Sequence, residues 1–139
     1  MKSILREKYR YILFEIIVEE EFGLDGLDSG IKKFENALRE SLIKLVGEID
    51  LSYITPRMMV LDEKKEFGIV RVLREGEKEA RIAFSLITEM NGIKIHLKPL
   101  FVSGTIKKCK TKMQNKMQDR QSKMQSKIQS KMQNGQSKA

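Results

Sequence analysis

One cysteine and one histidine are present in the 139-residue sequence. Cys109 therefore has no partner for an internal disulfide, which suits a reducing compartment. Together with His96 it falls short of the four ligands an ordinary zinc site needs. No apolar run approaches the roughly 18–20 residues required to span a bilayer. Five charges (Lys2, Arg6, Glu7, Lys8, Arg10) occupy the first ten positions, where a secretory signal needs an apolar core. These absences predict a soluble, cytoplasmic protein with no membrane partner. Hydrophobic residues make up 40% and charged residues 33% of the chain, enough for a single compact core of about 100 residues.

Charge divides the chain in two. The net charge is +8, yet residues 1–106 hold 17 Lys/Arg against 18 Asp/Glu. Residues 107–139 hold 10 Lys/Arg against Asp119 alone. The reading is a nearly neutral domain over residues 1–106 and a basic extension over residues 107–139. Such an extension suits an RNA, an anionic surface or plain solvent.

Tyr9 to Glu19 (YRYILFEIIVE) is β-branched and aromatic, and apolar on both faces. That is the pattern of an interior strand covered on both sides. The stretch EEEFGLDGLDSG supplies a glycine-rich break. Asp28 or Ser29 can then cap a helix. Ile31, Phe34, Leu38, Leu42 and Leu45 follow at steps of three and four, one helical face, and Gly47 stands where a left-handed C-cap would close it. Met58–Asp62 and Phe67–Arg74 read as a hairpin about the turn Glu63-Lys64-Lys65-Glu66. A second helix is expected from Glu77 to Met90, with Ala80, Ala83, Phe84, Ile87 and Met90 inward, ended by Asn91-Gly92. Ile93–Val102 alternates as a last strand. Pro99 places it at an edge or ends its pairing. The order β-α-β-β-α-β predicts an α+β, ferredoxin-like and RNA-recognition-like split-βαβ sheet, with both helices on one face and the other face open.

From Lys112 the unit Lys-(Met/Ile)-Gln-(Ser/Asn/Asp) recurs, interrupted by triads. Two tetrads and a triad make 11 residues, about 3.67 per turn if helical. Ile106, Cys109, Met113, Met117, Met124, Ile128 and Met132 then share an arc of roughly 140°, with lysines crowding one flank. The extension reads as a basic amphipathic helix at its start, and as a disordered tail in the free protein beyond about residue 116.

Catalytic candidates are thin. His96 lies between Ile95 and Leu97 on a strand, on the face opposite them, and reads as a structural or solvent-facing histidine. Cys109 has no evident partner base and reads as a residue on the inner face of a helix. Glu19-Glu20-Glu21 reads as a solvated charge run rather than a metal site, since consecutive side chains diverge. Neither GxGxxG nor a P-loop is present. Lys65-Glu66-Phe67-Gly68-Ile69-Val70-Arg71-Val72 partly follows the RNP1 pattern of RNA-recognition domains. Phe67 alone keeps an aromatic; Ile69 and Val72 replace the others, which argues against ordinary base stacking.

Arg10-Tyr11-Ile12-Leu13-Phe14-Glu15-Ile16 opens the first strand, and Val102-Ser103-Gly104-Thr105-Ile106-Lys107-Lys108 follows the last. With IKKFENALRESLIKL (31–45) ahead of Gly47 and Gly68-Ile69-Val70-Arg71-Val72 between them, the chain resembles the Pop-five/Rpp-fourteen family of ribonuclease P protein subunits, in its archaeal form. The resemblance spans about residues 8–112; the repeat departs from the family pattern. It implies an RNA-recognition-like fold and a place in the ribonucleoprotein that removes the 5′ leader of precursor tRNA. It further implies that the RNA subunit and its Mg²⁺ carry the chemistry, with no cofactor bound by the protein and no catalytic residue in it. The implied partners are ribonuclease P RNA, a second subunit (component 3, Rpp-thirty type) and other protein subunits of the holoenzyme. Precursor tRNA is met indirectly, and a homodimer stays open. On this reading Lys107, Lys108, Lys110 and Lys112 are the first candidates to neutralise phosphates, with Arg10, Arg71 and Arg74 secondary.

Two alternatives compete. An acylphosphatase-like enzyme would need a phosphate-cradling loop after the first strand, where five acidic residues stand instead, counting Glu19. A basic-tailed module would act on another RNA or an anionic membrane through the Met-rich tail.

Overall fold

In the computed structural model, which describes residues 8–18, 31–62, 66–90 and 92–137, the elements run β1 (Tyr9–Val18), α1 (Ile31–Ile54), β2 (Arg57–Leu61), β3 (Phe67–Leu73), a 3-10 turn (Arg74–Gly76), α2 (Glu77–Leu86), β4 (Glu89–Met90), β5 (Ile93–Ser103) and α3 (Ile106–Ser137). The strands form an antiparallel sheet of order β2-β3-β1-β5-β4. This is the expected ferredoxin-like α+β arrangement, extended by one short strand. The proposed cap at Asp28 or Ser29, the acidic glycine-rich loop, Glu63-Lys64-Lys65 of the hairpin turn and Asn91 lie outside the described residues.

β1 is central, and its sequence explains why. Ile12, Phe14 and Ile16 point into the core under α1 and α2, while Leu13 points into a second cluster on the other face. Phe34, Ala37, Leu38 and Leu42 of α1 and Ala80, Ala83 and Phe84 of α2 fill the first core. Phe14 stacks on Phe34 with ring centroids 6.2 Å apart and meets Phe84 at 6.0 Å. Its ring lies over Gly68, where a Cβ would stand 2.8 Å from Phe14 Cζ. Glycine is needed there for space.

Several expectations are corrected. Ile31 and Leu45, expected on the buried face of α1, are exposed, and Leu45 lines an open groove beside Leu86 instead. Gly47 does take a positive φ (+82°) and interrupts the helical backbone as expected, and a second helical stretch follows it to Ile54, so that α1 is two helical stretches joined at a kink. α2 stops at Leu86 instead of reaching Met90. Ile87 is extended, and the Ile95 N–H donates to the Thr88 carbonyl. Met90 reaches the core from β4, whose hairpin with β5 uses Gly92 at φ +79°. Pro99 is paired with Phe14 beside a bulge and beyond the reach of β4, the edge position its missing donor requires.

The largest correction concerns the sheet face expected to be open. α3 lies across it. Cys109 and Met113 are buried against Leu13, Phe67 and Ile69, with Tyr11, Val60, Phe101, Ile106 and Met117 packed around them. The backbone of α3 runs as helix from Ile106 to Ser137. Over residues 106–120 packing of the apolar stripe supplies what composition alone lacked.

Cys109 shows the depth of this contact. Its thiol donates to the Tyr11 carbonyl at 3.3 Å. Burial pushes the thiol up from 9.0 to about 11, outweighing backbone hydrogen bonds from Ser103 and Leu13 that act the other way. The thiol is neutral and shielded at neutral pH. Thiol reagents at pH 8 should leave the native protein unmodified and label it once urea unfolds it. Since the unfolded thiol ionises near 9.0 and the folded one near 11, its contribution to stability is complete below the lower value and lost as pH rises toward the upper.

Candidate nucleic-acid interface

The turn into α3 is built by three small residues. Ser103 Oγ accepts from the Thr105 N–H at 3.2 Å, and Thr105 Oγ1 accepts from the Lys108 N–H at 3.5 Å, an N-cap on the third helical residue. Gly104 lies between them beside Arg10, whose Nη1 would be in ordinary contact, 3.7 Å, with a Cβ there. Arg10 Nη1 also donates to the Tyr9 carbonyl at 3.0 Å.

Strand register gathers the secondary candidates at this same end. Tyr11 pairs with Arg71 on one side and with Ser103 on the other. The Arg71 guanidinium stacks over the Tyr9 ring at 4.2 Å, with Lys8 Nζ at 5.6 Å from the same ring. Stacking of this kind holds a guanidinium in place without neutralising it. Arg74, in the 3-10 turn, is exposed, and its N–H donates to the Lys8 carbonyl at 3.0 Å. Arg10, Arg71, Arg74 and Lys8 thus surround one end of the sheet, beside Lys107 and Lys108 in the first turn of α3.

That first turn contains no acidic residue. Lysines at a helix N-terminus oppose the helix dipole, each costing about 0.3–1 kcal/mol when exposed. Among the described residues, Arg39, Arg81 and Arg120 form ion pairs, and none of the α3 lysines does. The result is a fixed set of uncompensated lysines at the start of α3, suited to a polyanion.

The four leading candidates are all exposed, but they do not share a face. At 100° per residue, Lys108 and Lys112 lie on one flank of the buried stripe, and Lys107 and Lys110 on the other side. Lys112 Nζ sits 5.8 Å from the Phe101 ring, so its flank is the one facing β5.

Sequence reasoning missed Arg120. Its Nη2 donates to Glu15 Oε1 at 3.0 Å and its Nη1 to Glu66 Oε2 at 3.1 Å. Its guanidinium also lies 5.6 Å from the Phe67 ring. It clamps the far end of the docked part of α3 to β1 and to the start of β3. The signal was its place three residues after Met117, where the apolar stripe would continue. The RNP1-like segment is covered by this docking, with Phe67 and Ile69 buried beneath α3. His96 is exposed between buried Ile95 and Leu97, as expected. Among the described residues, no three His, Cys, Asp or Glu side chains converge to hold a metal ion, and no helix is long and apolar enough to cross a membrane. Glu19–Glu21 and the loop an acylphosphatase would use lie outside the described residues.

The chain belongs to the Rpp14/Pop5 family, whose model matches residues 10–114. Among curated relatives, ribonuclease P protein component 2 of Thermococcus gammatolerans is 42% identical over 108 residues, covering 78% of this chain and 84% of that protein. The proteins of the same name from Thermococcus kodakarensis and Pyrococcus abyssi are 41% and 38% identical, covering 78% of this chain and 84% and 86% of theirs. Among solved structures, a chain of yeast ribonuclease MRP, determined by cryo-electron microscopy, superposes with a TM-score of 0.59 at 14% identity, covering 83% of this chain and 95% of that one. That likeness establishes the fold. Most of the repeat lies beyond the family match.

Proposed function

We propose that the chain acts as a protein subunit of ribonuclease P in removal of the 5′ leader of precursor tRNA, and that it acts by binding rather than by chemistry. The observation that carries this reading is the cluster of cations where β1, β3 and β5 meet α3, its lysines uncompensated, in a member of this family. Lys107, Lys108, Lys110 and Lys112 neutralise phosphates of the RNA subunit, and Arg10, Arg71 and Arg74 flank them. Catalysis belongs to the RNA and the Mg²⁺ it holds.

A protein partner of the component 3 type would meet the other side of the molecule. Ile43, Leu45, Ile49, Ile82 and Leu86 are exposed on α1 and α2, and Leu45 and Leu86 line one groove between these helices. Leu45 and Leu86 in that groove, with Ile82 one turn before Leu86, make a small apolar patch that supports a protein contact. The test is reconstitution. The protein alone should leave precursor tRNA intact, and adding it with its partner protein to the cognate RNA should raise the cleavage rate. Mg²⁺-dependent cleavage by protein alone, surviving ribonuclease pretreatment, would overturn the reading.

A further inference from the structure

The repeat in α3 aligns a further set of lysines beyond the cluster at its start. Lys112, Lys116, Lys123 and Lys127 are spaced by four, seven and four residues. At 100° per residue they fall within about 60° of azimuth, and at 1.5 Å per residue they extend over about 22 Å. The 11-residue period is what holds the azimuth, since three helical turns nearly equal one repeat. All four are exposed.

The docking of α3 shows where this edge points. The buried stripe of Cys109 and Met113 faces the sheet, and Lys112 lies over Phe101 of β5, so the lysine edge looks toward β5. There His96 and Lys98 stand exposed on the same sheet face that α3 crosses. Lys98 pairs across strands with Glu15, the carboxylate that Arg120 already engages. Beyond Arg120 the helix leaves the sheet. Met124 keeps the azimuth of the buried stripe but is 61% exposed, so the lysines that follow Arg120 project past the domain.

We infer that this edge of α3, with Lys98 and His96 beside it, is a second RNA site: a straight cationic rail that follows a phosphate backbone without reading its bases. The inference rests on the RNA-binding reading above and extends it along the flank of α3 that Lys112 begins. RNA is the fitting polyanion because the charges form a row at helical spacing, and the docked part of the helix has already committed Cys109, Met113 and Met117, apolar surface a membrane-bound helix would insert, to the sheet. One residue opposes the rail. Asp119 falls on the same edge, between Lys116 and Lys123.

Asp119 supplies the discriminating variant. Full-length protein is titrated with a transcript of the cognate ribonuclease P RNA over a salt series. Replacing Lys116, Lys123 and Lys127 together by Gln should flatten the slope of log K against log salt by about 2–3, at roughly 0.7–0.9 for each phosphate no longer neutralised. Asp119→Asn should tighten binding severalfold at low salt. Far-UV circular dichroism confirms that the helix persists in both. If the triple variant keeps the wild-type slope while Lys107→Gln with Lys110→Gln weakens binding, the rail is wrong and the RNA-binding reading stands. If wild-type protein fails to bind the transcript even at low salt, both fall. If the triple change abolishes binding to phosphatidylserine vesicles and leaves RNA binding intact, the edge serves a membrane and the inference is overturned.

Discussion

Replacing Phe14 by alanine should cost about 3–5 kcal/mol of stability, the range for truncating a fully buried phenylalanine. The residue has no exposed surface and joins three elements, with Phe34 of α1 stacked on it at 6.2 Å, Phe84 of α2 tilted against it at 6.0 Å, and Gly68 of β3 directly beneath. Met58, whose Cε also closes on the Gly68 position, can fill part of the space, but the other neighbours are held. Gly68 has no side chain to move inward, and Phe34 and Phe84 are held on separate helices. Both the transfer of the ring and the cavity left behind therefore count. A urea titration followed by far-UV circular dichroism measures the effect, with the denaturant slope checked for change. A loss below about 1 kcal/mol would mean that the helices do not close over β1 as described.

The parts of this fold that were legible in the sequence are those with a period. Phe34, Leu38 and Leu42 announce the inward face of α1 by their spacing, and all are buried. Alternation along β5 correctly separates Ile95 and Leu97 from His96. Boundaries were less legible where two patterns agree. Ile87 and Met90 continue the spacing of α2 and are buried as expected, yet they reach the core from extended chain, because a buried position is available from either backbone. The covered sheet face was illegible for a different reason. The stripe Ile106, Cys109, Met113, Met117 declares an amphipathic helix, but periodicity does not say what the apolar side rests on. The same limit applies to the interface. Charge count locates Lys107, Lys108, Lys110 and Lys112, while their division between two flanks depends on how α3 is rotated against the sheet. Arg120 was hidden in a repeat whose other described cations, Lys112, Lys116, Lys123 and Lys127, are exposed.

Two methionines on the same stripe, eleven residues apart, should respond oppositely to one substitution. Met113 is 8% exposed and packs on Leu13, Phe67 and Ile69, whereas Met124 is 61% exposed. Met113→Asp removes a buried side chain, worth about 2–5 kcal/mol in packing, and adds an unpaired carboxylate against apolar neighbours. Met124→Asp should stay within about 0.5 kcal/mol, as surface changes usually do. The consequence for RNA follows from position. With Met113 replaced, the remaining anchors of α3 are Cys109, the partly buried Ile106 and Met117, and Arg120, whose half-exposed ion pairs are of modest worth. The lysines then spread over many orientations, and ordering them on phosphates costs conformational entropy that the docked helix has already given up. Met113→Asp should weaken RNA binding beyond the single charge it adds, and Met124→Asp should weaken it by about that charge alone. Truncation after Thr111 would not separate these effects, because it removes Met113 and Arg120 together with the lysines. Equal losses of stability for the two variants, read from urea midpoints, would mean that α3 does not rest on the sheet.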